Sequence, residues 1–246
     1  MKLNNYIGLK KNDILSIVGA GGKTTMMFKL AEELRLSNKV LVTTTTKIYI
    51  PLEDMYDFIC TDKKMFSRYI DMKENGIYVL GLGINENNKI LGLSTKELDD
   101  LVPHFDYILI EADGAKGKQL KGWNEFEPVI YEKTTKTVGI IDIQACGIQI
   151  CENNVHRSKI FCEITDATEG QNVKLQHLYK LMVHPQGLFK GAQGERILFI
   201  NKVERPADFT LAKLLVKEIN LKHKKLLNKM FFGSLKNNVY FGEVGD

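Results

Sequence analysis

The chain has 246 residues, of which 44% are hydrophobic and 26% charged, a composition typical of a globular protein that buries its own core. The formal charge is only +4 and the lysines are spread along the whole length, which argues against a nucleic-acid partner. The N-terminus lacks the apolar core of a signal peptide, and no stretch is apolar enough to span a bilayer. We therefore expect a cytoplasmic protein that binds neither nucleic acid nor membrane.

The four cysteines form no C-x-x-C pair and have no histidines beside them at zinc-finger spacing. This pattern favours reduced thiols in a cytosolic protein. The alternative is a soft-ligand site for selenium or a metal that uses Cys146 and Cys151.

The first predicted elements form a β–turn–α–β unit. Residues 14–18 are a short, β-branched apolar run that is ended by glycines, which is typical of a buried parallel strand. From Lys23 onward the apolar residues recur at helical spacing, up to a helix end near Ser37 and Asn38. A second strand follows at residues 39–43. The unit predicts a parallel sheet with right-handed crossovers.

The turn between the first strand and the helix has the sequence GAGGKTT. Its three glycines allow positive φ and a close approach of the backbone to phosphate oxygens, and the helix N-terminus adds N–H donors. Lys23 places a charge on the β- and γ-phosphates, and the Thr24 hydroxyl is a candidate Mg²⁺ ligand. The first glycine of the usual motif would fall on Ile17, so this loop is shortened and begins at Gly19. The predicted phosphate loop comprises Gly19, Ala20, Gly21, Gly22, Lys23, Thr24 and Thr25.

Polar residues also follow the second strand, where the sequence reads TTTTK. The carboxyl end of a parallel strand lies on the edge of the sheet where ligands bind. We therefore expect Thr45 to contact Mg²⁺ or the γ-phosphate, directly or through water, and Lys47 to add a charge to the phosphates or to an anionic substrate. The alternative is that threonines are present because they suit a strand.

A later apolar strand, residues 107–110, ends in two carboxylates, which is the Walker B pattern of an acid that holds Mg²⁺. Asp113 is the preferred metal ligand, together with Thr24, because it follows the strand and precedes a glycine. Glu111 lies one pleat away on the same face and is a candidate base or second ligand. With Lys23, these two acids make up the predicted catalytic set.

The segment of residues 115–132 is rich in glycine, lysine and turn residues, which predicts a loop or a small β-element at the active face. Its lysines have two readings: a clamp for an acidic substrate, or an ordinary solvated surface. The tryptophan of this segment either stacks on a ligand or anchors the loop. The residues of this segment concerned are Lys116, Lys118, Lys121 and Trp123. Farther along the chain, His156, Arg157 and His184 are candidate contacts to a phosphate or cofactor, and the alternative for each is an ordinary structural role.

The strand predicted at residues 197–200 runs into the sequence NKVE, which matches the N-K-x-[DE] element that reads guanine in GTPases. Asn201, Lys202 and Glu204 are therefore predicted contacts to the nucleotide base. Glu204 is one methylene longer than the usual aspartate, which weakens strict selection of guanine. We expect ATP or GTP as the bound nucleotide, with a slight preference for GTP.

The remaining predicted strands are residues 77–80 and 137–141, and the predicted helices are residues 63–71, 96–101, 172–183 and 207–219. Alternating strands and helices indicate an α/β fold. The predicted class is a P-loop NTPase-like, mostly parallel sheet flanked by helices. We expect one domain over residues 1–246 with a helical insertion at residues 144–194.

Several segments together resemble the YqeC family over nearly the full length. They are SIVGAGGKTT, KVLVTTTTKIYIP, IEADGAKGKQLKG, EFEPVI, VHR, HPQGL and INKV. The resemblance implies a bacterial accessory protein of selenium-dependent molybdenum hydroxylases, with a hydroxylase or its maturation proteins as partner. Selenium and molybdenum enter only through this resemblance.

Three functions are compatible with these predictions. The first is a Mg²⁺-dependent NTPase that assists maturation of a molybdenum hydroxylase. The second is a small-molecule kinase or an ATP-dependent ligase, because the shortened loop is similar to that of Mur ligases. The third is a nucleotide-dependent adaptor that binds without turnover.

Overall fold

The structure, a computed structural model, describes residues 2–242. Its helices are α1 (Asn4–Ile7), α2 (Lys23–Leu34), α3 (Phe66–Asp71), α4 (Thr95–Leu101), α5 (Ser158–Thr165), α6 (Leu175–Val183) and α7 (Pro206–Lys222). The strands are β1 (Ile14–Gly19), β2 (Lys39–Thr44), β3 (Lys47–Tyr49), β4 (Phe58–Cys60), β5 (Gly76–Leu80), β6 (Lys89–Leu91), β7 (Tyr107–Glu111), β8 (Leu120–Lys121), β9 (Lys136–Asp142), β10 (Val155–His156), β11 (Glu195–Asn201), β12 (Lys229–Ser234) and β13 (Val239–Gly242).

A nine-stranded sheet forms the centre, in the order β13-β12-β11-β9-β1-β7-β2-β5-β4. Every neighbouring pair is parallel except β12 and β13, which form an antiparallel hairpin. Strand β7 lies between β1 and β2, so the acidic strand is a direct neighbour of the glycine-rich turn. Because the strands are parallel, their carboxyl ends meet at one edge, and this edge holds the predicted site residues.

Both faces of the sheet are covered, which explains why its central strands are apolar throughout. Helix α2 packs on one face, where Met26, Met27 and Leu30 are fully buried. The other face carries two clusters. One includes α3 and α4, and the other includes α5, α6 and α7. None of the helices in residues 2–242 is long and apolar enough to cross a membrane.

The predicted α/β class and parallel sheet are confirmed, and the predicted strands lie within β1, β2, β5, β7, β9 and β11. Some helix bounds were wrong: α2 ends at Leu34, α6 begins at Leu175, and a 3-10 turn at Lys63–Met65 precedes α3. The segment 144–194 is not purely helical, because it contains β10 as well as α5 and α6. The prediction of one domain includes residue 1 and residues 243–246, which lie outside the described residues, and it stays a prediction.

Candidate functional site

A cavity of about 1110 Å³ opens at the carboxyl edge of the sheet. The glycine-rich turn, the end of β2, the loop after β7 and the end of β11 all contribute to its wall. Eight lysines and arginines line it against three glutamates, so its walls are strongly cationic. Most of the predicted site residues therefore converge on one cavity. Gly19, Ala20 and Asp113 are exceptions that are not part of the lining.

The glycine-rich turn has a backbone that only glycine adopts easily. Gly19, Gly21 and Gly22 have φ of 103°, 81° and 141°. A Cβ atom at Gly19 would lie 2.2 Å from the Ile140 carbonyl oxygen, and one at Gly22 would lie 2.5 Å from Asn201 Nδ2. Helix α2 begins directly after this turn, and Gly22 supplies no side-chain cap to it. The first N–H groups of α2 are thus left for a ligand, as at helix N-termini that bind anions.

Lys23 is only 5% exposed, and its Nζ donates to the Gly19 carbonyl oxygen at 2.7 Å. The same Nζ lies 3.2 Å from Asp113 Oδ1 and 3.7 Å from Glu111 Oε1. Burial by itself lowers the pKa of Lys23, but the two carboxylates outweigh burial and raise it above its usual range. Lys23 is therefore a charged ammonium at the base of the glycine-rich turn.

Glu111 and Thr24 are adjacent on the cavity wall. The Thr24 hydroxyl donates to Glu111 Oε2 at 2.6 Å, which brings a hydroxyl and a carboxylate oxygen together beside the turn. Burial raises the pKa of Glu111 above its usual range, against the opposing effect of Lys23. Hydroxyl and carboxylate oxygens are the ligand types that Mg²⁺ prefers, and Mg²⁺ commonly takes only one or two protein carboxylates. This pair suits Mg²⁺.

Asp113 is fully buried, and its Oδ2 accepts hydrogen bonds from Gly19 N–H at 3.1 Å and from Trp123 Nε1 at 2.7 Å. Lys121 Nζ lies 3.2 Å from the same oxygen. The order of preference between the two acids is therefore revised, since Glu111 faces the cavity and Asp113 faces the interior. A metal role for Asp113 stays a prediction, and the geometry favours Glu111. Sequence reasoning ranked Asp113 first because it cannot see these buried donors.

The loop after β7 is held by a chain of charges. Lys121 bonds to Glu127 Oε2 at 2.8 Å, and both carboxylate oxygens of Glu127 accept from Arg157, at 2.5 and 3.0 Å. Although burial opposes it, bonding to Arg157 and Lys121 lowers the pKa of Glu127 to about 2. Lys121 is buried, so it neutralises carboxylates and is not a clamp for a substrate. Trp123 is also buried, and its bond to Asp113 supports the anchoring role.

The element after β11 joins the turn to the C-terminal strands. Asn201 Nδ2 donates to the Gly21 carbonyl oxygen at 2.7 Å, and Asn201 Oδ1 accepts from Leu235 N–H at 3.1 Å. Glu204 is exposed and accepts from the Ser234 hydroxyl at 2.9 Å. Lys202 reaches Asp142 Oδ2 at 2.5 Å.

Sequence reasoning did not identify Ser234, Leu235 and Lys236, although the last two line the cavity. The sequence signal that could have identified them is the apolar run at residues 230–232, which indicates a strand that ends at this edge of the sheet.

Thr45 and Lys47 are the two contacts predicted at the end of the second strand, and they differ in their bonding. Thr45 lines the cavity, but its hydroxyl donates to the Val129 carbonyl oxygen at 2.6 Å. Lys47 lines the cavity and is exposed. His184 lies away from the cavity, and its Nδ1 accepts from Gln186 N–H at 3.1 Å, a local structural bond.

The cysteines give no support to a soft-ligand site. Within residues 2–242, no group of three or more His, Cys, Asp and Glu side chains could hold a metal ion. Cys146 packs against an apolar cluster, and burial raises the pKa of its thiol. The thiol is thus protonated and weakly nucleophilic.

His156 is 8% exposed and lines the cavity. Burial is the main reason that its pKa falls to about 4, and the cations Arg157, Lys121 and Lys116 add to this effect against Glu127. The imidazole is therefore neutral at pH 7, with one ring nitrogen able to donate and the other able to accept.

Comparisons with known proteins agree on the family. The family model described as "YqeC protein" matches residues 15–159. A protein of Escherichia coli with the name "Uncharacterized protein YqeC" is 35% identical over 198 residues, which cover 78% of this chain and 77% of that protein. No solved structure matches significantly. The resemblance stated from the sequence is confirmed.

The depressed pKa of His156 predicts a pH-dependent stability. Between pH 6.5 and about 4 the unfolded chain binds a proton at this residue and the folded chain does not, so stability falls as the pH is lowered through this window. At about 1.4 kcal/mol per pKa unit, the loss approaches about 3 kcal/mol. We expect His156→Gln to lose less stability than the wild type between pH 7 and pH 4, as measured by urea unfolding.

The matched control is His104→Gln, which changes a histidine outside the cavity. Equal pH slopes in the wild type and His156→Gln would contradict a neutral, buried His156.

Proposed function

The chain belongs to the YqeC family, and we propose that it binds a Mg²⁺–nucleoside triphosphate at residues 19–25 and hydrolyses it. The observation that carries this proposal is the uncapped start of α2 after three positive-φ glycines, with the Lys23 ammonium beneath the turn and the Thr24–Glu111 pair beside it. Backbone N–H groups, a cation and oxygen ligands for a metal are the three components that a triphosphate requires.

In this proposal the turn and Lys23 hold the β- and γ-phosphates, and Thr24 and Glu111 hold Mg²⁺ directly or through water. The bound Mg²⁺ would neutralise charge on the phosphates. Lys23 then offsets the charge that develops on the transferred phosphoryl group. The raised pKa of Glu111 would also suit a proton acceptor for an attacking water. Asp113 is a positioning residue, because it bonds Gly19 N–H and Lys23 from the buried side.

The cellular role that we propose follows from the family resemblance: maturation of a selenium-dependent molybdenum hydroxylase. Capture of the tagged protein from its native cells, with and without a non-hydrolysable nucleotide, tests this role. Nucleotide-dependent recovery of a hydroxylase or its maturation proteins would support it.

A small-molecule kinase or ligase is the second candidate, and the unpaired cations of the large cavity favour it. It predicts a product that depends on an added acceptor, whereas the NTPase predicts slow hydrolysis that a protein partner stimulates. A nucleotide-dependent adaptor would bind without turnover even when its partner is present.

Lys23→Ala is expected to weaken triphosphate binding by about 2–4 kcal/mol, the scale of a lost charge-assisted contact. Calorimetric titration with a non-hydrolysable triphosphate measures the loss. Lys29→Ala, on the same helix but outside the main cavity, is the matched control and should bind like the wild type.

Because Lys23→Ala leaves two carboxylates buried without their cation, circular dichroism must show that it is folded. Lys23→Arg keeps a cation but lacks the compact ammonium group, so this variant should also bind the triphosphate weakly. Wild-type affinity in either folded variant would refute the phosphate-loop assignment.

The two carboxylates are expected to respond differently to neutralisation. Glu111→Gln should remove the Mg²⁺ dependence of nucleotide binding, because a neutral amide cannot replace the charge of a metal ligand. Asp113→Asn should instead destabilise the fold by about 3 kcal/mol or more, since it leaves buried cations uncompensated. Mg²⁺ titrations at fixed nucleotide concentration and urea unfolding measure the two effects. A normally stable Asp113→Asn protein that has lost its Mg²⁺ response would restore Asp113 as the ligand.

We expect the protein to bind GTP slightly more tightly than ATP. Guanine presents two N–H donors to a carboxylate, whereas adenine presents a lone pair, and an unpaired group costs about 1–3 kcal/mol, or roughly a 5- to 150-fold preference. The exposure of Glu204 reduces this value, so we expect a slight preference for GTP in competition binding at equal Mg²⁺. Glu204→Ala should abolish the preference, and Glu86→Ala, which changes an exposed acid outside the cavity, should keep it. Tighter binding of ATP by the wild type would exclude this base contact.

A further inference from the structure

The cavity is slightly larger than the usual pocket for one drug-sized ligand. Pockets that hold one drug-sized ligand measure about 300–1,000 Å³, and this cavity measures about 1110 Å³. Strand order divides it, because β11 and β12 lie on one side of β1, and β7 and β2 lie on the other. Asn201 and Leu235 belong to the first side. Lys47 and the loop of residues 114–118 follow the strands of the second side.

Three cavity lysines on the second side have no anionic partner among the described residues. One of them, Lys89, has its Nζ over the Tyr49 ring, 4.3 Å from the ring centroid. Lys47 and Lys116 are exposed, line the cavity and form no ion pair there. By contrast, Lys118, Arg157 and Lys202 are each paired with a carboxylate. Lys116 has a φ of 50°, a left-handed conformation that is uncommon for a lysine and fixes the direction of the loop.

His156 adds a second, independent observation. Its side chain is more than nine-tenths buried and lines the cavity, yet neither ring nitrogen has a hydrogen-bond partner within residues 2–242. The neighbouring Glu127, Arg157 and Lys121 satisfy one another without it. Among the described residues, the only buried side-chain nitrogen or oxygen atom without a hydrogen-bond partner is Asp113 Oδ1, so the unbonded ring nitrogens of His156 are open to the cavity. The neutral imidazole is therefore free to bond to a ligand in the cavity.

We infer that Lys47, Lys116 and His156 form a second subsite, beside the nucleotide, for a co-substrate that carries a phosphate or carboxylate group. The lysines supply charge to its oxyanion, and His156 supplies a directional hydrogen bond. This inference rests on the proposed function, because the subsite would hold a second ligand in the cavity that binds the nucleotide. Binding of a phosphoryl acceptor at this subsite would support the second candidate, a small-molecule kinase or ligase.

The test is a calorimetric titration of pyrophosphate and, separately, citrate into the full-length protein saturated with Mg²⁺ and a non-hydrolysable triphosphate. We expect one anion to bind per chain. Lys116→Gln and His156→Phe should each weaken this binding about tenfold while changing triphosphate affinity less than twofold. The matched control is Lys159→Gln, which changes an exposed lysine of α5 outside the cavity and should bind both ligands normally. The stronger of the two anions identifies a phosphorylated or a carboxylated co-substrate.

A parallel titration into Lys23→Ala without nucleotide separates the two proposals. The second subsite should still bind the anion there, even if no nucleotide binds to the wild type. The inference is overturned if the loaded wild type binds neither anion, if binding is unchanged in Lys116→Gln and His156→Phe, or if both variants lose triphosphate affinity in parallel. Circular dichroism confirms that the variants are folded, and Lys47→Gln provides an independent third variant for the same measurement.

Discussion

Two carboxylates buried at the end of β7 are the electrostatic constraint on which the site depends. Asp113 is fully inaccessible and Glu111 nearly so, and charges in such positions are stable only when they are paired. Lys23 comes from the glycine-rich turn and Lys121 from β8, so the pairing ties the turn to the loop after β7. The Gly19 N–H and the Trp123 indole also donate to Asp113 Oδ2. Removal of any one partner would leave a buried charge or donor unpaired.

This constraint explains the division of labour between the two acids. Asp113 uses its oxygens for the interior, where it fixes the turn and Lys23. Glu111 shares the Lys23 charge but keeps an oxygen toward the Thr24 hydroxyl at the cavity wall. Alternation along the chain puts both carboxylates on the same side, and only the difference in their surroundings separates a positioning residue from a candidate metal ligand.

The ion pairs around Asp113 continue to the wall of the cavity that β8 and β10 support. Lys121 bonds Glu127, and Glu127 bonds Arg157, which follows directly after β10. Because β10 pairs with β8, His156 is held beside Lys121 in register. The wall is therefore positioned by the ion pairs that neutralise Asp113. Burial in this wall, together with its fixed cations, lowers the pKa of His156 and keeps the imidazole neutral.

The sequence alone determined six strands of the central sheet, the helix after Lys23 and the position of the turn. Apolar β-branched runs, the helical spacing after Lys23 and three glycines are local signals, and the strands and turn form where these signals are. Tertiary structure decided the strand order, which puts β7 beside β1 and brings Thr24 and Glu111, 87 positions apart, into contact. It also decided which acid is buried, which lysines are paired and that His156 has no partner, because these properties depend on neighbours that are distant in the chain. The C-terminal strands were missed for the same reason, since β12 is stabilised by pairing with β11, and β13 by pairing with β12.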